Sequence, residues 1–419
     1  MKAALCVAAL ALVAAGPAVA EPLAIVGAKV HLRPGQALDG ATVIVDGGRV
    51  RAVGVGLAVP AGATVIDGRG KQVTAGFIEP LSGVGLIGVD LEASSVDGAM
   101  PPTDALHADA IHAAYLARDG FAPTSVAIPV ARTGGVTTVI AAPSGGLVAG
   151  QSAAFSLDGA VDPLLVTAGM HAELGPGGAG AVGGSRGRAI AALRELLDDA
   201  AAFARDRAAY ERNQQRRMLA DRLDLAALGP VLAGRVPLVV TAHAEADIRA
   251  AVRLAQASKL RLVIAGGAEA WRAADVLAKA KVPVILDPTA NLPTHLDAPD
   301  VRDDAAAVLA AAGVPVAVST LGSASNARTV RQLAGVAVAN GLPWDQALAA
   351  LTTVPAAIYR LPDRGTVTAG AVADLVVWSG DPLELATAAD VVIIGGVAQS
   401  TVSHQTRLLD RYRKLPAKP

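Results

Sequence analysis

The sequence predicts an α/β protein built on a (β/α) barrel with short β-strands at both chain ends, and three observations carry that prediction. Between about Gly76 and Leu361, short and almost wholly apolar runs recur at 137–141, 163–167, 237–241, 260–264, 282–286 and 314–318. Continuous rather than alternating hydrophobicity marks strands buried on both faces, as in parallel sheets covered by helices. Helical stretches at 246–258, 269–280 and 303–312 separate the later runs, and strand-helix repetition gives a barrel or a doubly wound sheet. No Gly-X-Gly-X-X-Gly follows a first strand, which favours the barrel.

The elements follow in chain order. Residues 1–20 begin with Lys2, run apolar from Ala3 to Ala15, break at Gly16-Pro17 and end in Ala18-Val19-Ala20, a small-X-small cleavage signal. This predicts a signal peptide cut after Ala20 and a periplasmic or secreted protein with no membrane segment after cleavage. The single cysteine, Cys6, falls in that segment, so the mature chain is expected to hold neither a disulfide nor a cysteine metal ligand. Charge is nearly balanced, 36 basic against 37 acidic residues, which argues against nucleic acid as a partner. Over 21–75 the runs 23–32, 41–45 and 50–55, with Asp46-Gly47-Gly48-Arg49 as a tight turn, predict a small antiparallel β module. The barrel is expected over 76–362, with a charged helical excursion at about 185–225. Strands return over 363–405, at Asp374-Leu375-Val376-Val377-Trp378 and Val391-Val392-Ile393-Ile394, before a tail at 406–419.

Several motifs fall in one order along this frame. They are Gly76-Phe77-Ile78-Glu79-Pro80-Leu81-Ser82-Gly83, Gly134-Gly135-Val136-Thr137-Thr138, Gly150-Gln151-Ser152, Leu351-Thr352-Thr353-Val354-Pro355-Ala356 and Ala369-Gly370-Ala371-Val372-Ala373-Asp374-Leu375. Together they resemble the amidohydrolase superfamily, and Gly150-Gln151-Ser152 resembles its imidazolonepropionase-like branch. The resemblance implies a (β/α)8 TIM-like barrel with a small β-sandwich domain built from both chain ends. It also implies hydrolysis of C–N bonds at one or two divalent metals. Such a metal lowers the pKa of bound water to about 7 while an aspartate moves the proton.

The ligand positions that the resemblance implies are mostly substituted. The opening motif reads Gly-Phe-Ile-Asp-X-His-X-His in the family, and here Glu79, Leu81 and Gly83 replace the aspartate and both histidines. After strand six, Gly266 stands in Ile264-Ala265-Gly266-Gly267 where a histidine is expected. After strand eight, Leu321 follows Thr320 where the family has aspartate. Only His243, in Thr241-Ala242-His243-Ala244, keeps its place. One imidazole does not hold a catalytic zinc, which takes three protein ligands plus water. No cofactor is therefore expected. Glu79, His243 and Asp287 are the catalytic candidates for a rearranged zinc site, and His171, Glu245 and Thr320 are candidates for the pocket at the barrel mouth. Glu79 and His243 read equally as groups satisfied by the scaffold.

The remaining features are weaker. His107 and His112 lack the i,i+4 spacing of a helical metal pair. Ser185-Arg186-Gly187-Arg188 opens the excursion and offers Arg186 to an anion, or else begins a solvated helix with pairs such as Arg207 and Glu211. The glycine run 175–184 reads as a hinge. Three functions follow: a binding or partner subunit, in a homo-oligomer or with an active homologue; a hydrolase of cyclic amides or dipeptides; or an envelope module without a small-molecule site.

Overall fold

A computed structural model describes residues 22–99, 110–290, 292–293 and 298–413. The expected signal peptide, Cys6 and His107 lie outside the described residues. Two eight-stranded sheets organise the chain.

The first sheet begins with β1 (Leu23–Arg33), β2 (Gln36–Asp46) and β3 (Arg49–Val55) in antiparallel order. Gly47 and Gly48 turn β2 into β3 with φ of 57° and 75°, the left-handed pair that a two-residue hairpin needs. The antiparallel expectation fails for β4 (Thr64–Asp67) and β5 (Gln72–Ala75), which both run parallel to β1 along one edge, β4 beside Leu23–Val26 and β5 beside Lys29 and Val30. Hydrophobic patterning reports which face a strand buries and carries no record of its direction.

The barrel sheet contains β6 (Phe77–Ser82), β7 (Val136–Ala141), β8 (Val148–Ser156), β9 (Leu165–Glu173), β10 (Leu238–Ala242), β11 (Leu262–Gly266), β12 (Val284–Leu286) and β13 (Val316–Val318), hydrogen-bonded in that order. Residues such as Ile78, Val239, Val263, Ile285 and Ala317 fill the interior, while their neighbours Leu238, Ile264, Leu286 and Val318 pack under the helices. The eight-stranded, helix-covered barrel is as expected, with one correction: β8 is antiparallel to both β7 and β9. Every residue of β8 is buried, so its apolar run resembles that of a parallel strand.

Sheet one is completed by β14 (Leu375–Trp378), β15 (Ala389–Ile394) and β16 (Val397–Ala398), with β14 antiparallel to β5. Both chain ends thus build one domain. Leu375 and Val377 enter its core beside Ile25, Val43 and Val73, whereas Val376 and Trp378 face the barrel.

Trp378 joins the two domains. Its buried indole stacks on Phe77 at 5.2 Å and donates to Thr74 Oγ1 at 2.9 Å. Gly135 leaves room for it, since a Cβ there would sit 2.3 Å from the indole.

Three further expectations change. The excursion is one amphipathic helix, Arg186–Arg205, that buries Leu193, Leu196, Leu197 and Phe203, followed by short helices; the Arg207–Glu211 pair is exposed at 2.8 Å. The glycine run is not an open hinge, because Pro176–Ala181 is helical and the Glu173 carboxylate occupies the space a Gly177 side chain would take. Part of the tail is a helix, His404–Tyr412, started by a Ser403–Thr406 capping box. Among the described residues no helix is long and apolar enough to cross a membrane.

Trp378→Ala is expected to lower stability by about 3–5 kcal/mol, and Trp378→Phe by less, read from the midpoints of chemical denaturation.

Candidate functional site

A cavity of about 310 Å³ opens at the C-terminal ends of the barrel strands, where barrel folds carry their chemistry. Its polar lining is Ser144 after β7, His171 and Glu173 on β9, and Thr241 and His243 at the end of β10. Small residues, among them Ala149, Ala265 and Gly266, make much of the rest. Residues two apart on a strand share a face, so β9 presents His171 and Glu173 together. Sequence reasoning named His171 and missed Glu173, although its place two residues beyond His171 was a readable signal.

His171 is buried, and its Nε2 has no hydrogen-bond partner among the described residues. Burial lowers its pKa to about 3, so the imidazole stays neutral. The ring is thus a neutral, desolvated imidazole in the cavity wall with its Nε2 unsatisfied among the described residues.

Glu79 does not reach this cavity. It is buried in the seam where β6 meets β13, hydrogen-bonded to Ser319 Oγ and receiving the Thr320 amide at 3.3 Å. Burial, with a smaller contribution from the charge of Asp287, pushes its pKa up to about 8. Ser319 Oγ also lies 3.1 Å from the Leu81 carbonyl and receives the Leu321 amide at 3.0 Å. Ser319 Oγ thus stands between two acceptors, the Glu79 carboxyl and the Leu81 carbonyl.

The structure also shows what fills the substituted ligand positions. A Cβ on Gly266, whose φ is 85°, would lie 2.5 Å from the His243 ring. A Cβ on Gly83 would lie 2.6 Å from the Gly322 carbonyl oxygen and 2.6 Å from Ile87 Cδ1. Leu81 and Leu321 line the cavity, and Leu321 holds a φ of 49°, a strained conformation for a leucine. Among the described residues no three of His, Cys, Asp or Glu converge closely enough to hold a metal ion. The donors at the mouth do not fit the metal centre that the family resemblance implies.

Other candidates are placed elsewhere. Glu245 begins the helix Glu245–Ala257 and is held by Arg249 at 2.8 Å and Arg272 at 2.9 Å, outside the cavity lining. Asp287 closes a turn onto the Thr289 amide at 2.8 Å and hydroxyl at 2.6 Å. Thr320 supports Glu79 through its amide rather than facing a ligand. Arg186 is paired with Asp247 at 3.5 Å, which answers the anion-site reading. His112 donates its amide to the Val148 carbonyl.

A model described as the amidohydrolase family matches residues 310–402. Amidohydrolase tasK of Hapsidospora irregularis is 47% identical over 60 residues, a stretch covering 14% of this chain and only 6% of that protein. Among solved structures, an amidohydrolase from Thermotoga maritima MSB8 superposes with a TM-score of 0.81 at 27% identity, covering 90% of this chain and 99% of that one. A prolidase solved with N-methylphosphonate-L-proline gives 0.56 at 20% identity, covering 90% and 99%. A mutant atrazine chlorohydrolase from Arthrobacter aurescens TC1, solved with zinc and atraton, gives 0.54 at 18%, covering 93% and 98%. The last two likenesses are of fold.

Reinstating histidine at Gly83 or Gly266 is expected to destabilise the protein by about 2–4 kcal/mol each, from overpacking and, at Gly266, a left-handed backbone. Denaturation midpoints check this. The two perturbed groups give opposite pH slopes. Glu79 binds its proton more tightly when folded, so its stabilisation is complete below about pH 4.5 and lost as pH rises toward 8; Glu79→Gln should remove that decline. His171 binds its proton less tightly when folded, so stability falls as pH drops from about 6.5 toward 3, and His171→Gln should flatten that limb.

Proposed function

We propose that this chain, which belongs to the amidohydrolase superfamily, is an exported protein that keeps the barrel-mouth cavity for a small-molecule ligand and does not run the family's metal-dependent hydrolysis. The observation that carries this reading is the filling of the ligand positions: the His243 ring lies over Gly266, and the Gly322 carbonyl lies against Gly83. A substitution that merely deleted a ligand would leave room to restore it. Here neighbouring groups occupy the room.

The cavity itself remains equipped for recognition. His171 supplies a neutral nitrogen, Glu173 a carboxylate and Thr241 a hydroxyl, on walls of small residues that admit a compact polar molecule. In this reading the protein acts as a binding subunit or as the partner of an active homologue, and as a homo-oligomer or hetero-oligomer. Export rests on residues 1–20, and placement in the imidazolonepropionase-like branch rests on Gly150-Gln151-Ser152. In the fold, Gln151 donates to the Ala113 carbonyl at 3.0 Å and accepts from Thr167 Oγ1 at 2.9 Å, a role in holding β8 in place.

A second reading is an active hydrolase of cyclic amides or dipeptides through a rearranged zinc site. The observation favouring it is that His171, Glu173 and His243 line one cavity. Elemental analysis of untagged protein from the periplasm separates the two, with the His243→Ala variant beside it. The first reading expects folded protein with less than stoichiometric metal, thermal stabilisation by a subset of cyclic amides or dipeptides, and no turnover of them. Stoichiometric zinc that disappears in the variant, with turnover, would overturn it. Amino-terminal sequencing of the same preparation is expected to begin at Glu21.

A further inference from the structure

The larger hollow of the barrel, about 590 Å³, lies at the opposite end, under the N-terminal ends of β10 to β13. Its floor is apolar, with Leu260, Val282, Pro283, Val354 and Ile358 among the lining residues. Its charged groups are Lys259, Arg261 and Lys281, and no aspartate or glutamate lines it. Arg261 is committed to the fold, donating to the carbonyls of Arg235 and Ile358 at 3.1 and 2.9 Å. Neither lysine ammonium makes an ion pair or side-chain hydrogen bond among the described residues.

The backbone at both lysines is unusual. Lys259 and Lys281 follow the helices Glu245–Ala257 and Ala274–Ala280 in the left-handed region, with φ of 53° and 54°. The next amides, of Leu260 and Val282, bond back to Ala255 and Leu277 at 2.9 and 3.0 Å, the helix-ending turn in which glycine is the low-energy choice. A non-glycine residue there is strained, because its Cβ crowds the carbonyl that follows. The helix dipole favours a cation near such an end, and a cation in ordinary helical geometry one turn earlier would serve it without that strain. What the strained positions add is placement, because both lysines line one apolar hollow.

We propose that this hollow is a binding site for a fatty carboxylate, with the acyl chain on the apolar floor and the carboxylate between Lys259 and Lys281. Charge complementarity sets the sign of the ligand: a rim of cations without a lining carboxylate selects an anion, and the apolar floor selects one that carries a chain.

Titration calorimetry with decanoate, decyltrimethylammonium and acetate, each below any micelle concentration, tests the assignment on the full chain. Decanoate should bind, with an affinity that falls as salt rises, while the cationic amphiphile and acetate should not. The Lys259→Gly/Lys281→Gly double variant suits the left-handed turns and so keeps the fold, and it should bind decanoate about tenfold more weakly or worse. Ala357→Trp, which fills the hollow from its exposed rim, should abolish binding. Equal binding of both amphiphiles, unchanged affinity in the glycine variant, or binding that survives Ala357→Trp would overturn the proposal. So would a decanoate-independent dimer that the same substitutions dissolve, since the hollow would then be an interface between copies of this chain.

Discussion

The barrel depends on how its first and last strands are joined, and that join is made by a few bonds gathered around one buried carboxyl group. Among the described residues no backbone ladder links β13 to β6. The seam is instead carried by Glu79, Ser319 and Thr320, with the Gly322 amide donating to the Leu81 carbonyl at 2.9 Å. Tyr359 adds a hydroxyl bond to the Pro80 carbonyl at 2.7 Å, from the helix Thr353–Tyr359 that closes the barrel floor. An ionised carboxylate in this position would be heavily penalised by desolvation. A neutral one avoids that penalty and keeps its bonds to Ser319 and the Thr320 amide. The group that the sequence offers as a catalytic candidate is thus committed to holding the barrel shut.

That commitment shapes the mouth. The seam draws the loop after β13 across the end of β6, which brings the Gly322 carbonyl against Gly83 and turns Leu321 toward the cavity. On the far wall, the left-handed backbone of Gly266 lets the His243 ring lie flat over the end of β11. Two of the four substituted positions, Gly83 and Gly266, therefore form close contacts that a glycine makes possible, and the other two, Leu81 and Leu321, line the cavity. Had the changes been simple losses on an unaltered scaffold, the vacated volume would have stayed open. The histidine that keeps its place in the sequence lines the cavity with its ring packed against Gly266.

Much of the architecture was legible in the sequence, because burial on both faces leaves a clear hydrophobic record. The runs at 237–241, 260–264, 282–286 and 314–318 each lie within two residues of a barrel strand. What stayed hidden was direction and conformation. The run in β8 is as apolar as its neighbours, so its reversed direction left no mark, and the same holds for β4 and β5 beside β1. The glycines at 175–184 signalled freedom where two of them, Gly177 and Gly178, serve close packing against Glu173. At the site, ligand positions read from a motif located His243, Gly266, Leu81 and Leu321 at the cavity. Glu245 and Asp287 were inferred only from following an apolar strand, which fixes the end of the barrel but not the facing of the side chain. Both point into local networks instead.

The mouth also retains features that cost stability without an evident structural return. Leu321 is held in a left-handed conformation that would suit glycine or asparagine better. His171 buries a polar nitrogen without a partner among the described residues, and an unsatisfied buried group costs about 1–3 kcal/mol. Neither closes the seam, since the seam bonds run through the Leu321 amide and not its side chain. Strained and unsatisfied groups persist where the surrounding structure over-determines them, and they cluster at sites that bind something. Both residues line the same cavity. The substituted motif positions Leu81, Gly266 and Leu321 line that same cavity, so the departures from the motif and these costs fall in one place.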